Sequence, residues 1–259
     1  MFSGSLSSPA ASIRFLVTVV LATLVTNLPL PGEERESPEN PAFFREWTGS
    51  LEGGQTLQSG RTRRNEITLR GELERQVGRH SHRAVAEYIY GKQDGSKSSD
   101  RYGTNYRWRY ELNDYFYTQS LTSFEADHMR RIRERAEQNL SFGYRFLDTE
   151  RMGASFGPGV TAQYNREIGV ESEMNYLATF FQDFTWQMTD THHFKEDSTF
   201  LFNPENSEDY TYRFNATFSS NVTQAIDLRL RYNFIYENQV APDVEQAEHR
   251  LTTSLRYSF

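Results

Sequence analysis

The last eleven residues of the chain, HRLTTSLRYSF, alternate without a break. Leu251, Thr253, Leu255, Tyr257 and Phe259 fall on one side, and Arg250, Thr252, Ser254, Arg256 and Ser258 on the other. A side-chain period of two is that of a β-strand, here with one apolar and one basic-polar face. The same pattern returns upstream. In AIDLRLRYNFIYE, Ile226, Leu228, Leu230, Tyr232, Phe234 and Tyr236 oppose Asp227, Arg229, Arg231, Asn233 and Glu237. YTYRFNATF sets Tyr210, Tyr212, Phe214, Ala216 and Phe218 against Arg213, Asn215 and Thr217, and YGTNYRWRYEL sets its aromatics against Asn105, Arg107, Arg109 and Glu111. RAEQNLSFGYRF does the same with Leu140, Phe142, Tyr144 and Phe146. A sheet made of such strands must hide one face and wet the other, and no helical period after residue 47 supplies a covering layer.

Turn signals divide residues 47–259 into about 12 strands, near 47–57, 66–76, 82–91, 102–112, 115–125, 134–146, 152–164, 174–188, 192–202, 209–219, 225–237 and 248–259. At ~9–12 residues each, they have the length a tilted strand needs to cross a bilayer. The fifth, YFYTQSLTSF, does not reveal its apolar face, and the ninth, HHFKEDSTFLF, alternates weakly. Connections alternate between short (VGRHS, LND, LDTERM, MTDT, NVTQ) and mostly longer and more polar ones (QSGRTRRN, GKQDGSKSSD, EADHMRRIRE, NREIGVESE, NPENSE, NQVAPDVEQ). That asymmetry, with an even strand count, predicts an all-β fold: an antiparallel up-and-down transmembrane β-barrel of about 12 strands with both termini at the short-turn end.

Alternation does not say which face is buried, so a soluble periplasmic β-protein with its aromatics inside is the competing reading. Other features favour the membrane. Residues 1–29 carry Arg14 and then an apolar run of export-signal length. Residues 30–45 read as an acidic, Pro-rich linker, which leaves 46–259 for the barrel. There are no cysteines, hence no disulfide framework and no thiolate chemistry. Aromatics make up 14% of a chain only 37% hydrophobic, and they gather at strand ends (Trp47, Tyr88, Tyr90, Trp186, Tyr257, Phe259), as in an interfacial girdle. Closure also removes the edges that a large open sheet would expose. A net charge of −7 excludes the basic footprint of a nucleic-acid-binding protein.

The runs WTGSLEGGQTLQSGRTRRNEITLRGELER, DGSKSSDRYGTNYRWRYELNDYFYTQSLTSFEADHMRRI and, most specifically, GYRFLDTERMGASFGPG resemble a bacterial family of uncharacterised proteins named for salt-induced outer-membrane proteins. The resemblance covers about residues 47–259; SGRTRRN is more basic than the family pattern. It implies a barrel in the bacterial outer membrane, in contact with lipid and lipopolysaccharide, and a tie to osmotic stress, but brings no catalytic or ligand residues. A terminal aromatic on the last strand resembles the C-terminal signal read by the barrel-assembly machinery, which assigns Tyr257 and Phe259 that role and pairs the last strand with the first.

Candidate chemistry is sparse. The adjacent His192 and His193 point to opposite faces of a strand and make a poor metal chelate. The acidic loops lack calcium-loop spacing. An outer-membrane lipid hydrolase would need Ser and His within reach, whereas His249 and Ser254 have opposite parity. We therefore expect no enzyme, metal or cofactor. The inward charges are the informative set. Arg107, Arg109, Glu111, Arg213, Asp227, Arg229, Arg231, Glu237, Arg250 and Arg256 are the leading lumen-lining candidates. The whole inward set counts thirteen bases and ten acids, which favours a small anionic solute through a basic sector on the last two strands. Such an interior is either a salt-bridged plug or a narrow pore, since twelve strands lie between the filled eight-stranded and the open sixteen-stranded barrels.

Overall fold

The computed structural model describes residues 47–59, 64–93, 96–240 and 244–259; the expected export signal (1–29) and linker (30–45) lie outside them. Twelve strands follow one another: β1 Thr48–Ser59, β2 Arg64–Val77, β3 His80–Gln93, β4 Ser96–Glu111, β5 Phe116–Asp127, β6 Ile132–Asp148, β7 Met152–Glu167, β8 Glu173–Gln187, β9 His192–Asn203, β10 Asn206–Asn221, β11 Ile226–Glu237 and β12 Ala247–Ser258. Each pairs antiparallel with its sequence neighbours, and β12 returns to β1, so the sheet is a closed barrel. The seam runs from Ser50 opposite Ser258 to Ser59 opposite His249. Its last rung is a reciprocal backbone pair between Gly49 and Phe259 at 3.0 and 2.9 Å. A Cβ on Gly49 would collide with the Phe259 ring, so the missing side chain is what lets the terminal aromatic lie flat on the first strand.

The two faces sort by chemistry in the reverse of a water-soluble protein. Leu140, Leu230 and Leu255 are among many exposed apolar side chains. Thr56, Thr68, Thr252, Glu52, Glu137 and Arg231 are buried. The soluble reading, with aromatics inside, is therefore corrected: the apolar face of the alternation is the outer wall.

Two further expectations change. Strands run 12 to 17 residues, longer than a bilayer crossing requires. Residues expected in long polar loops instead prolong the hairpins, so that only residues 128–131 separate β5 from β6 and 204–205 separate β9 from β10. Each polar extension has an antiparallel neighbour to bond with, and the ladder continues beyond the apolar belt. The ambiguous fifth strand turns Phe116 outward and Tyr117 inward: Tyr117 is fully buried and its hydroxyl lies 2.8 Å from that of Ser155. Its ring rests on Gly143, the residue directly opposite on β6, where any side chain would overlap it.

Candidate functional site: an ion-paired barrel interior

Inward-pointing side chains of non-adjacent strands can meet only across the lumen, and several do. Arg213 of β10 holds Glu137 of β6 through two hydrogen bonds of 2.7 and 2.6 Å. Arg135 of β6 donates to Glu237 of β11 at 2.8 Å. Arg109 of β4 reaches Asp183 of β8 at 3.2 Å. Arg101 of β4 lies 3.6 Å from Glu248 of β12, and Arg231 of β11 lies 3.7 Å from Glu87 of β3. An arginine fork matches a carboxylate geometrically, and in an interior of reduced dielectric these pairs act as struts between opposite walls.

The struts occur in three layers. Toward the short turns, Arg145 holds Glu111 by two contacts of 3.0 Å, Arg256 is bonded to Asp227, and the Arg109 guanidinium stacks 4.0 Å over the Tyr117 ring. In the middle, Glu52 accepts from Arg231 at 2.8 Å, Arg229 at 3.3 Å and Ser254 at 2.6 Å, tying the first strand to the last two, while Glu72 accepts from Arg83 at 2.7 Å. At the other end, Glu125 binds Arg101 at 3.1 Å, and Arg250 donates to Glu248 at 2.6 Å. Here Arg130, from the β5–β6 turn, is 2.5 Å from Glu237 and 3.7 Å from Glu125. Burial by itself lowers the Arg130 pKa, but Glu237, Glu125 and Glu248 outweigh it and raise the guanidinium well above its ordinary value. It is thus a permanent cation folded over this mouth.

Nine of the ten lumen candidates sit in these layers. Arg107 differs. It lies opposite Arg83 on β3, and among the described residues no carboxylate is within 4.0 Å of it or of Lys195 on β9. Sequence reasoning missed four acids, Glu66, Glu125, Asp127 and Glu248, and the base Arg130. Asp127 and Arg130 fall in a segment expected as loop, and Glu66, Glu125 and Glu248 stand at the ends of expected strands. It also missed apolar filling: Val85, Ile89, Tyr117, Leu177, Phe181 and Leu201 are buried inside the wall. The glycines and serines of GYRFLDTERMGASFGPG were the available signal, because inward Gly143 and Gly157 make a bare stretch of wall beside these larger groups.

His249 and Ser254 are separated by the wall. The ring nitrogen of His249 is 2.7 Å from the Tyr232 hydroxyl on the outside, while Ser254 donates to Glu52 inside. His192 and His193 likewise fall on opposite faces, His192 packing on outward Phe218 and His193 pairing with inward Ser219.

A family model described as protein of unknown function, DUF481, matches residues 51–259. The uncharacterized protein YdiY of Escherichia coli K12 is 25% identical over 229 residues, covering 85% of this chain and 86% of YdiY. Among solved structures, the NanC porin superposes with a TM-score of 0.56 at 7% identity, over 80% of this chain and 98% of the porin. An outer-membrane channel from Pseudomonas putida F1 gives 0.51 at 12% identity, over 90% of this chain and 100% of the channel. These are likenesses of fold: outer-membrane barrels.

Proposed function

This chain belongs to the DUF481 family, and from that premise we propose that it is a bacterial outer-membrane barrel closed at rest, which admits small solutes when its cross-lumen ion pairs loosen. The observation that carries the reading is the bidentate Arg213–Glu137 strut, with Arg135–Glu237 and Arg109–Asp183, joining walls that a permanently open pore would leave apart. The struts are not sealed from water at every member: Arg213 keeps 26% of its side-chain exposure and Arg109 21%, although Glu137 and Arg135 are buried. Salt in the lumen therefore weakens them, as the screening length falls from ~10 Å at 0.1 M to ~3 Å at 1 M. This supports a role under osmotic or salt stress. Selectivity then rests on the cations that no strut occupies. Arg107 and Lys195 favour a small anion, whereas Arg229 and Arg231, the sector expected from the sequence, are held on Glu52.

Planar-bilayer conductance tests this. The unmodified barrel should conduct little at 0.1 M salt and rise at 1 M by more than the bulk conductivity does. Arg213→Gln should raise the low-salt conductance. Strict proportionality to bulk conductivity would show an open pore and refute the resting closure. Silence at every salt, in the variant as well, would leave a purely structural barrel.

A further inference from the structure

The weak alternation of the ninth strand has a structural cause. Outward residues of β9 run His192, Phe194, Glu196, Ser198, Phe200, Phe202, so a carboxylate and a hydroxyl interrupt the apolar wall midway between two aromatic pairs. Their register partners on β8 are Phe184 for Glu196 and Gln182 for Ser198; on β10, Ala216 faces Glu196. Inward Asp197, bonded to Asn215 at 2.7 Å inside the barrel, confirms that Glu196 points outward. Gln182 donates to Glu196 at 3.3 Å, and the Ser198 hydroxyl bonds the same carboxylate. Glu196 is only 8% exposed, tucked between its neighbours, but Gln182 is exposed.

This site stands inside the belt. Phe194, paired with Trp186, marks one edge, and Phe202, paired with Ala178 and beside Tyr210, marks the other. Gln182 and Ser198 occupy the central row between them. An amide has two N–H donors and a carbonyl with two lone pairs. Among the described residues Gln182 has one bond, to Glu196, so an N–H and the carbonyl face the hydrocarbon. Polar groups at that depth are costly when unpartnered, and intramembrane ionisable side chains mark sites. Acyl chains bring no partner, and a soluble protein does not reach the depth. This same wall on a second copy offers a matching donor and acceptor at the same height.

We propose that the β8–β9 outer wall, centred on Gln182, is a two-fold contact between two copies of this chain in the membrane. An axis along the membrane normal sets Gln182 against Gln182 of the second copy. Each amide then donates an N–H to the other's carbonyl while keeping its bond to Glu196. Such a contact is isologous, the commonest symmetry of homo-oligomers. Phe180 and Phe200 flank the pair on the mouth side, and the small Ala216 and Ala178 let the walls approach.

The chain has no cysteine, so single cysteines report the contact cleanly. An axis through Gln182 leaves one strand spacing between it and each Ser198, so Ser198→Cys, in outer-membrane vesicles treated with a bismaleimide that spans about 10 Å, should run mainly at twice the monomer mass. Ser120→Cys, on the outward face of β5, should remain a monomer. Adding Gln182→Leu to Ser198→Cys should lower the dimer yield about tenfold, equivalent to ~1.4 kcal/mol. Heat-modifiable mobility on gels verifies that each variant is folded. Equal yields from the two cysteine variants, indifference to Gln182→Leu, or cross-links to a different protein would each overturn the proposal.

Discussion

Removing the Glu52 carboxylate should unfasten the barrel at its seam. Glu52 stands on β1, retains 3% of its side-chain exposure and is the shared acceptor of Arg229, Arg231 and Ser254. In Glu52→Ala, two guanidinium groups, 13% and 7% exposed, lose that partner at once. Breaking a buried pair by removing one member typically costs ~3–5 kcal/mol, because the remaining charge stays desolvated. Two features pull the figure down. Arg231 keeps Glu87 at 3.7 Å, and the new space beside Arg229 is polar enough to take water. We therefore expect ~3 kcal/mol, at the lower end. The assay is urea unfolding in lipid vesicles, read as the loss of fast-migrating, heat-modifiable protein, with the midpoint shift multiplied by the common slope. The triple change Glu52→Gln, Arg229→Gln, Arg231→Gln should recover much of the loss, since it strands no charge. A loss below ~1 kcal/mol for Glu52→Ala would place these pairs with ordinary exposed salt bridges and refute the strut argument. Failure of the triple variant to recover would show that side-chain packing, not charge, holds the seam.

Other outcomes follow from the same geometry. Leu230→Arg on the outer wall should cost ~2–4 kcal/mol near the bilayer midplane, while Asn233→Arg, inside, should be far milder in the same titration; equal losses would contradict the assignment of faces. Gly143→Leu drives a side chain into the Tyr117 ring and should destabilise the barrel by ~1–3 kcal/mol, with partial rescue by Tyr117→Ala, as read from urea midpoints; no rescue would mean that the ring is not the obstacle. Phe259→Ala should slow assembly in cells, measured as the fraction reaching the heat-modifiable form over time, while leaving the folded protein nearly as stable, because the Gly49–Phe259 rung is made by backbone atoms.

How far the chain could be read depended on how local each property was. Alternation is a property of neighbouring residues, so the strands, their order around the barrel and the face of the charged side chains inside the regularly alternating segments were available from HRLTTSLRYSF and its repeats. Strand ends were less legible. SKSSDRYG and NPENSEDY look like loop by composition and become ladder because an antiparallel neighbour is present to bond with them. YFYTQSLTSF was undecidable locally, since two aromatics of opposite parity both have a place: Phe116 on the wall, and Tyr117 over Gly143, a glycine 26 residues away. The layer pairs were beyond reach for a physical reason. Arg213 and Glu137 are 76 residues apart, Arg135 and Glu237 are 102, and Arg231 and Glu52 are 179. Which inward charges meet is set by strand number, stagger and tilt once the sheet closes, and these belong to the closed sheet as a whole. Period two dictates that Arg229 and Arg231 point inward; closure alone decides that they bind Glu52 and that, among the described residues, Arg107 is left with no carboxylate in reach.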